Sequence, residues 1–127
     1  MKEVIRTESA PAPFQGAPYS QAIKVAGLVF VAGQVSLKPG ETEITGDTIQ
    51  EQTEQVMASL RAILEAAGTG LDRLVKTTVF LQSLDDFQGM NEVYARHVGS
   101  QPPARSTVEV AKLPSGALVE IEGIALA

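Results

Sequence analysis

The chain contains no cysteine and a single histidine among its 127 residues. That scarcity removes the usual zinc sites, which need several thiolates or imidazoles, and leaves no thiol from which to read a redox compartment. No apolar run approaches the roughly 18 residues of a membrane span, so a membrane protein is not expected. The first residues, Met1 to Glu8, lack the apolar stretch of a secretory signal and carry acids that a transit peptide avoids. The cytoplasm is the expected compartment. Positive charge is also in short supply: ten Lys and Arg against fifteen Asp and Glu give a formal charge of -5 and a pI near 4.8. The basic residues are scattered, whereas phosphate binding rests on clustered Lys and Arg, so no nucleic-acid partner is expected. Gly68-Thr69-Gly70 lacks the lysine and the spacing of a nucleotide cradle.

What is present is enough apolar residue for one core. A hydrophobic fraction of 44% and a mean hydropathy of +0.08 fit a compact domain spanning residues 1 to 127. A chain of this length removes roughly two-thirds of its unfolded surface from water without metal or disulfide staples. Residues 8 to 21, with Pro11, Pro13, Gly16 and Pro18, read as irregular. Ala22 to Val25 and Leu28 to Ala32 read as short strands around the Ala26-Gly27 turn. The clearest helix starts at a cap, Asp47 or Thr48, with Gln50 or Glu51 three residues on. It carries Ile49, Val56, Met57, Leu60, Ile63 and Leu64 on one stripe and stops at Gly68. Val75 to Leu81 follows as a strand. Asp85 or Asp86 caps a second helix with Phe87, Met90, Tyr94 and Val98 on one face, ended by Gly99; Arg105 to Val110 and Leu118 to Leu126 close the chain as strands.

This order predicts an α+β fold, a single sheet with two helices on one face. Its other face poses a burial problem. Leu28-Val29-Phe30-Val31-Ala32 is apolar at both parities, and Thr77 to Leu81 are nearly as indifferent to side. A second copy of the chain is the economical cover, and a homo-oligomer is predicted. The alternative is that residues 1 to 21 fold across that face.

Among residues able to do chemistry, Arg105 stands first. Its guanidinium stays charged at working pH and presents a planar fork of donors matching a carboxylate. Strand parity groups Arg105 with Thr107 and Glu109, away from Ala104, Ser106 and Val108, and is read as placing Arg105 off the helix-packed side. In the last strand Glu120 and Glu122 lie opposite Val119 and Ile121, so polar groups of the two strands are expected to meet on one face. An ion pair between Arg105 and a glutamate at a subunit interface is the plainer alternative. His97, in the last turn of its helix, is read as favouring the helix dipole when charged. Glu51, Glu54, Asp72, Asp85 and Asp86 are read as solvated caps and faces.

Six blocks of sequence, in order and spanning nearly the whole chain, carry a resemblance: Gly16-Ala17-Pro18-Tyr19-Ser20-Gln21-Ala22, Val31-Ala32-Gly33-Gln34, Val75-Lys76-Thr77-Thr78-Val79, Met90-Asn91-Glu92-Val93-Tyr94, Pro103-Ala104-Arg105 and Val119-Glu120-Ile121-Glu122. Together they resemble the Rid/YjgF family, the reactive intermediate deaminases. The resemblance implies a chorismate-mutase-like mixed sheet and a homotrimer with clefts between subunits. It further implies hydrolysis of 2-enamine and 2-imine acids, such as 2-aminoacrylate and 2-aminocrotonate, to 2-keto acids and ammonia, without cofactor or metal. By the same resemblance Arg105 binds the substrate carboxylate and Glu120 acts with a water. Tyr19 enters the cleft from the neighbouring subunit, the Gly33 loop supplies main-chain contacts, and Asn91 lies near the site. Phe87 is either a pocket wall or core. Thr107 departs from the family, since many relatives carry Cys there; a backbone contact survives that change. The rival reading is a 2-keto acid binding or regulatory protein using the same pocket. A ribonuclease or translation inhibitor, activities attached to family members, fits the acidic charge poorly.

Overall fold

A computed structural model describes all residues, 1–127, and its architecture follows from two strong local signals. The first is the opening of helix α1 (Ile49–Ala66), where Thr48 and Glu51 form a reciprocal capping box. The Thr48 hydroxyl accepts from the Glu51 amide at 3.1 Å, and Glu51 Oε1 accepts from the amides of Asp47 and Thr48 at 2.9 and 3.1 Å. These backbone bonds hold the Glu51 carboxyl below its ordinary value of 4.5. A group depressed in the folded state adds stability that is present above its unfolded pKa and is lost as pH falls through the folded one. Glu51→Ala is therefore expected to lower the urea midpoint at pH 7, with the gap to wild type closing as the pH is taken below 4.5.

The second signal is strand alternation. Strands β1 (Glu3–Ile5), β2 (Ala22–Val25), β3 (Leu28–Gln34), β4 (Leu74–Leu81), β5 (Ala104–Glu109) and β6 (Val119–Leu126) form one mixed sheet in the order β1-β2-β3-β6-β4-β5. Helix α2 (Phe87–Val98) connects β4 to β5, and these strands pair in parallel, as a helical crossover requires; all other pairs are antiparallel. On one face Val29, Val31, Val79, Val119 and Ile121 are buried in a cluster with Val56, Met57, Leu60, Ile63 and Leu64 of α1 and Met90 and Tyr94 of α2. Both helices thus lie on the same face, as expected. The cores of the two helices and the five longer strands stand where the sequence pattern puts them, with ends moved by one or two residues. Neither helix is long and apolar enough to cross a membrane.

Three expectations are corrected. Glu3–Ile5 forms a strand, which three residues without alternation do not announce. It pairs along the β2 edge, and of residues 1 to 21 the stretch holding Phe14, Ala17 and Tyr19 reaches the second face at Ala32, Gly33 and Glu120, so the cover the alternative expects is partial. Phe30, Val108 and Leu126, all on that face, remain 41%, 42% and 43% exposed. At the start of α2 neither aspartate caps: Asp86 holds the N-cap position without a side-chain bond, and the Ser83 hydroxyl accepts from the Asp85 amide in the preceding turn at 3.2 Å.

Candidate active site

Residues singled out from the sequence fall into two groups on opposite faces of the sheet. The first gathers around Arg105 on β5. Arg105 pairs in register with Thr77 of β4, a fully buried residue whose side chain bonds to Tyr94 of α2. Arg105 therefore points to the helix side, correcting the expectation that it avoids that side. The physical reason is its position on an edge strand: α2 overhangs β5 with aromatic rings and leaves a half-buried gap that a planar cation can enter. The guanidinium carbon lies 5.5 Å from the Phe87 ring centroid and 4.8 Å from that of Tyr94.

No acid of its own chain neutralises Arg105. The two ion pairs of the chain both use Glu54, with Arg96 and with His97. Glu109, which shares the parity of Arg105, instead accepts from the Leu84 amide at 2.9 Å. No glutamate of the same chain pairs with Arg105, and the plainer reading, a pair at a subunit interface, concerns contacts between copies. Asn91, Tyr94, Val98, Pro102, Pro103 and Arg105 line one cleft of about 350 Å³. Asn91 and Arg105 are together, as expected. Thr107 lies on the same side of β5, half-buried and in register with Val79, outside the residues lining that cleft.

The second group gathers around Glu120 on the other face. Val119 and Ile121 are buried toward the helices, which turns Glu120 to the open side, as the sequence parity indicates. Glu120 shares a cleft, also about 350 Å³, with Phe14, Tyr19, Ala32, Gly33 and Pro114. Burial, and then the charge of Glu122, raise the Glu120 carboxyl above its ordinary value of 4.5. Gly33 is what lets this carboxyl settle. A Cβ built on Gly33 would collide with Glu120 Oε2 and stand 3.0 Å from its Cδ. The expected meeting of Arg105 and Glu120 on one face is therefore overturned: the two strands present them to opposite sides, and Tyr19 and Gly33 go with Glu120.

Local chemistry fixes Tyr19 where it is. Buried Gln21 takes the Thr7 amide at 2.8 Å and donates to the carbonyls of Thr7 and Pro11 at 3.0 and 2.8 Å, replacing the ladder bonds the irregular segment lacks. The Phe14 amide then donates to the Tyr19 hydroxyl at 2.6 Å, so that the phenol proton is left to donate outward. Sequence reading missed Phe14 and Pro114 as walls. Their signal was a proline and a glycine close together in each of two loops, Pro13 to Gly16 and Pro114 to Gly116.

His97 has a role other than a helix-end charge. Arg61 approaches His97 Nδ1 at 3.0 Å and His97 Nε2 approaches Glu54 at 3.0 Å, tying α1 to α2. Burial works against the Glu54 carboxylate, but His97 and Arg96 outweigh it and hold its pKa below the ordinary value. No three His, Asp, Glu or Cys side chains converge as a metal-binding set.

Fold and clefts define a class: an α+β chain presenting an unpaired arginine on one sheet face and a perturbed acid beneath a tyrosine on the other. A family model described as Endoribonuclease L-PSP matches residues 7–127. A RutC family protein of Pyrococcus horikoshii is 51% identical over 125 residues, covering 98% of each chain. The Arabidopsis thaliana protein named Reactive Intermediate Deaminase A, chloroplastic, is 46% identical, covering 98% of this chain and 65% of its own length. Among solved structures, YyfA of the Rid family from Yersinia pestis superposes with a TM-score of 0.94 at 43% identity over 100% of both chains. Escherichia coli TdcF with bound serine gives 0.90 at 36% identity over 98% of both. The chain belongs to the Rid/YjgF family.

Proposed function

We propose that the protein is a hydrolytic deaminase of 2-enamine and 2-imine acids, working as a homotrimer in which Arg105 of one copy and Glu120 of the next complete each site. The observation that carries this reading is an arginine with no acidic partner in its own chain, at the mouth of a cleft, while the perturbed acid faces the other way. A second copy is the way to bring these halves together. The exposed apolar side chains Phe30, Val108 and Leu126 supply surface for that contact. In solution the particle is expected at three times the 13.4 kDa chain mass; a stable 13.4 kDa species at micromolar concentration contradicts the assembly.

The chemistry asks little of the site. Arg105 takes the carboxylate through paired charge-assisted hydrogen bonds. Glu120, which burial inclines to keep its proton, delivers that proton to the terminal enamine carbon, giving the iminium. Water then adds to the iminium carbon and loses a proton to Glu120. In the resulting carbinolamine a proton passes from hydroxyl to nitrogen, ammonia leaves, and the 2-keto acid remains. Tyr19, with its outward phenol proton, and Asn91 are placed to hold substrate heteroatoms, while Gly33 and Thr107 offer backbone. TdcF, a relative with serine bound, supports a small carboxylate ligand. Because these enamines hydrolyse unaided, modest acceleration suffices.

The direct test is ammonia or 2-keto acid release from enamine generated by a pyridoxal-phosphate dehydratase. Faster release with the protein supports catalysis, and an unchanged rate with tight keto-acid binding favours the binding-protein reading. RNA cleavage is the activity named in the family model's description; cleavage that disappears in Arg105→Ala would displace the deaminase. Gly33→Ala supplies a finer test. The added methyl meets the far end of a flexible side chain, so it shifts the Glu120 carboxyl without unfolding the chain. Turnover is expected to fall about tenfold or more while pyruvate affinity stays within about twofold.

A further inference from the structure

Resting on the carboxylate-clamp reading of Arg105, we infer that Phe87 and Tyr94 are positioning residues: a two-ring seat that holds the guanidinium by its face and leaves its donor edge free for the ligand. An arginine in a half-buried cleft is ordinarily held by a carboxylate, which occupies the donors an incoming acid needs. Here no carboxylate of the same chain serves. The Arg105 cation lies over Phe87 and Tyr94, 5.5 and 4.8 Å from the ring centroids, within the range in which an aromatic face attracts a cation. Aromatic faces attract a guanidinium without a carboxylate taking up its fork, and beyond a bond to the Tyr94 hydroxyl its donors stay available.

The seat is itself fixed. The Tyr94 hydroxyl and the Thr77 hydroxyl are 2.6 Å apart and buried, and Thr77 is the in-register neighbour of Arg105 on the adjoining strand. One strand pair therefore positions the cation from below and, through Tyr94, the ring that carries it. Burial, the leading influence, raises the Tyr94 phenol above its ordinary value of 10.0, which keeps it neutral as a hydrogen-bonding strut. Phe87 closes the outer side and is 37% exposed, so replacing it leaves the core intact. Helix α2 thus serves the site through the stripe that sequence pattern alone assigns to packing.

A seat acts on affinity, because an unseated arginine must be ordered by the ligand, at a cost to binding rather than to the chemical step. Phe87→Leu keeps apolar bulk and removes the ring. It is expected to raise the pyruvate dissociation constant and the KM for 2-aminoacrylate about five- to thirtyfold, with kcat within about twofold, and Phe87→Tyr is expected to restore wild-type values. Tyr94→Phe keeps the ring but cuts the tie to Thr77, and an intermediate loss is expected. Arg105→Ala is measured alongside by pyruvate titration. If Arg105→Ala loses pyruvate binding while Phe87→Leu and Tyr94→Phe bind as wild type, the seat is overturned and the clamp stands. A fall in kcat with unchanged affinity in Phe87→Leu also overturns the seat. If Arg105→Ala binds pyruvate as wild type, the clamp itself is overturned and the seat with it.

Discussion

Arg105→Ala is expected to fold and assemble as the wild type while losing turnover of 2-aminoacrylate by about a hundredfold or more. The structural half of this expectation follows from what Arg105 does not do. It makes no ion pair, and its removal orphans no carboxylate. Tyr94 keeps its bond to Thr77, and the attraction of the cation to each ring contributes only about 1 kcal/mol at such a partly exposed site. The functional half follows from the carboxylate. A bidentate guanidinium contributes about 1.5–3 kcal/mol per hydrogen bond to a charged group, and removing two such bonds together exceeds a factor of about one hundred. Steady-state assays coupled to a dehydratase, with the oligomer followed by mass, check both halves. Arg105→Lys is expected to recover only part of the loss, since an ammonium restores charge without the planar fork.

Glu120→Gln is expected to lower kcat by about a hundred- to a thousandfold and to leave the pyruvate dissociation constant within about threefold. The amide keeps the shape of the side chain and its seat against Gly33 but can neither deliver nor take up a proton. A residue acting only on protons should leave ground-state carboxylate binding to Arg105 unchanged, and isothermal titration beside steady-state kinetics separates the two. The wild-type pH profile should bear the mark of the same group. Burial and Glu122 raise its pKa, so the protonated form persists above the ordinary carboxyl range. The acid-dependent limb of the rate should therefore lie above pH 4.5 and vanish in Glu120→Gln.

How far the sequence carries these expectations depends on which physical constraint each element obeys. Helix α1 was legible end to end because its capping box and apolar stripe are both local; Thr48, Glu51 and Gly68 stand where pattern reading places them. The orientation of Glu120 was legible too, since strict alternation with Val119 and Ile121 leaves one choice. Arg105 was not. Parity correctly separated it from Ser106 and Val108, but parity does not say which side is the helical one. On an edge strand the helix-facing positions are only half covered, so a polar residue there is no anomaly. The aromatic stripe of α2 was legible as packing, and its approach to a cation depends on the β4-to-β5 crossover, a tertiary fact. At Gly33 the sequence indicates close approach of backbone to a ligand but not that a Cβ there would meet the Glu120 side chain, which comes from a strand almost ninety positions away in the chain. Strand β1 escaped because three residues pairing on an edge leave no periodic trace.

That one chain turns its arginine and its acid to opposite faces leads to a single decisive measurement: activity in mixed oligomers of Arg105→Ala and Glu120→Gln. Each variant alone is expected to be nearly inactive. If each site takes Arg105 from one copy and Glu120 from the next, equal co-assembly joins an intact arginine to an intact glutamate at about a quarter of the sites, and activity should return to about a quarter of wild type. Activity that stays at the level of the separate variants, in oligomers shown by mass to be mixed, would contradict a site shared between copies.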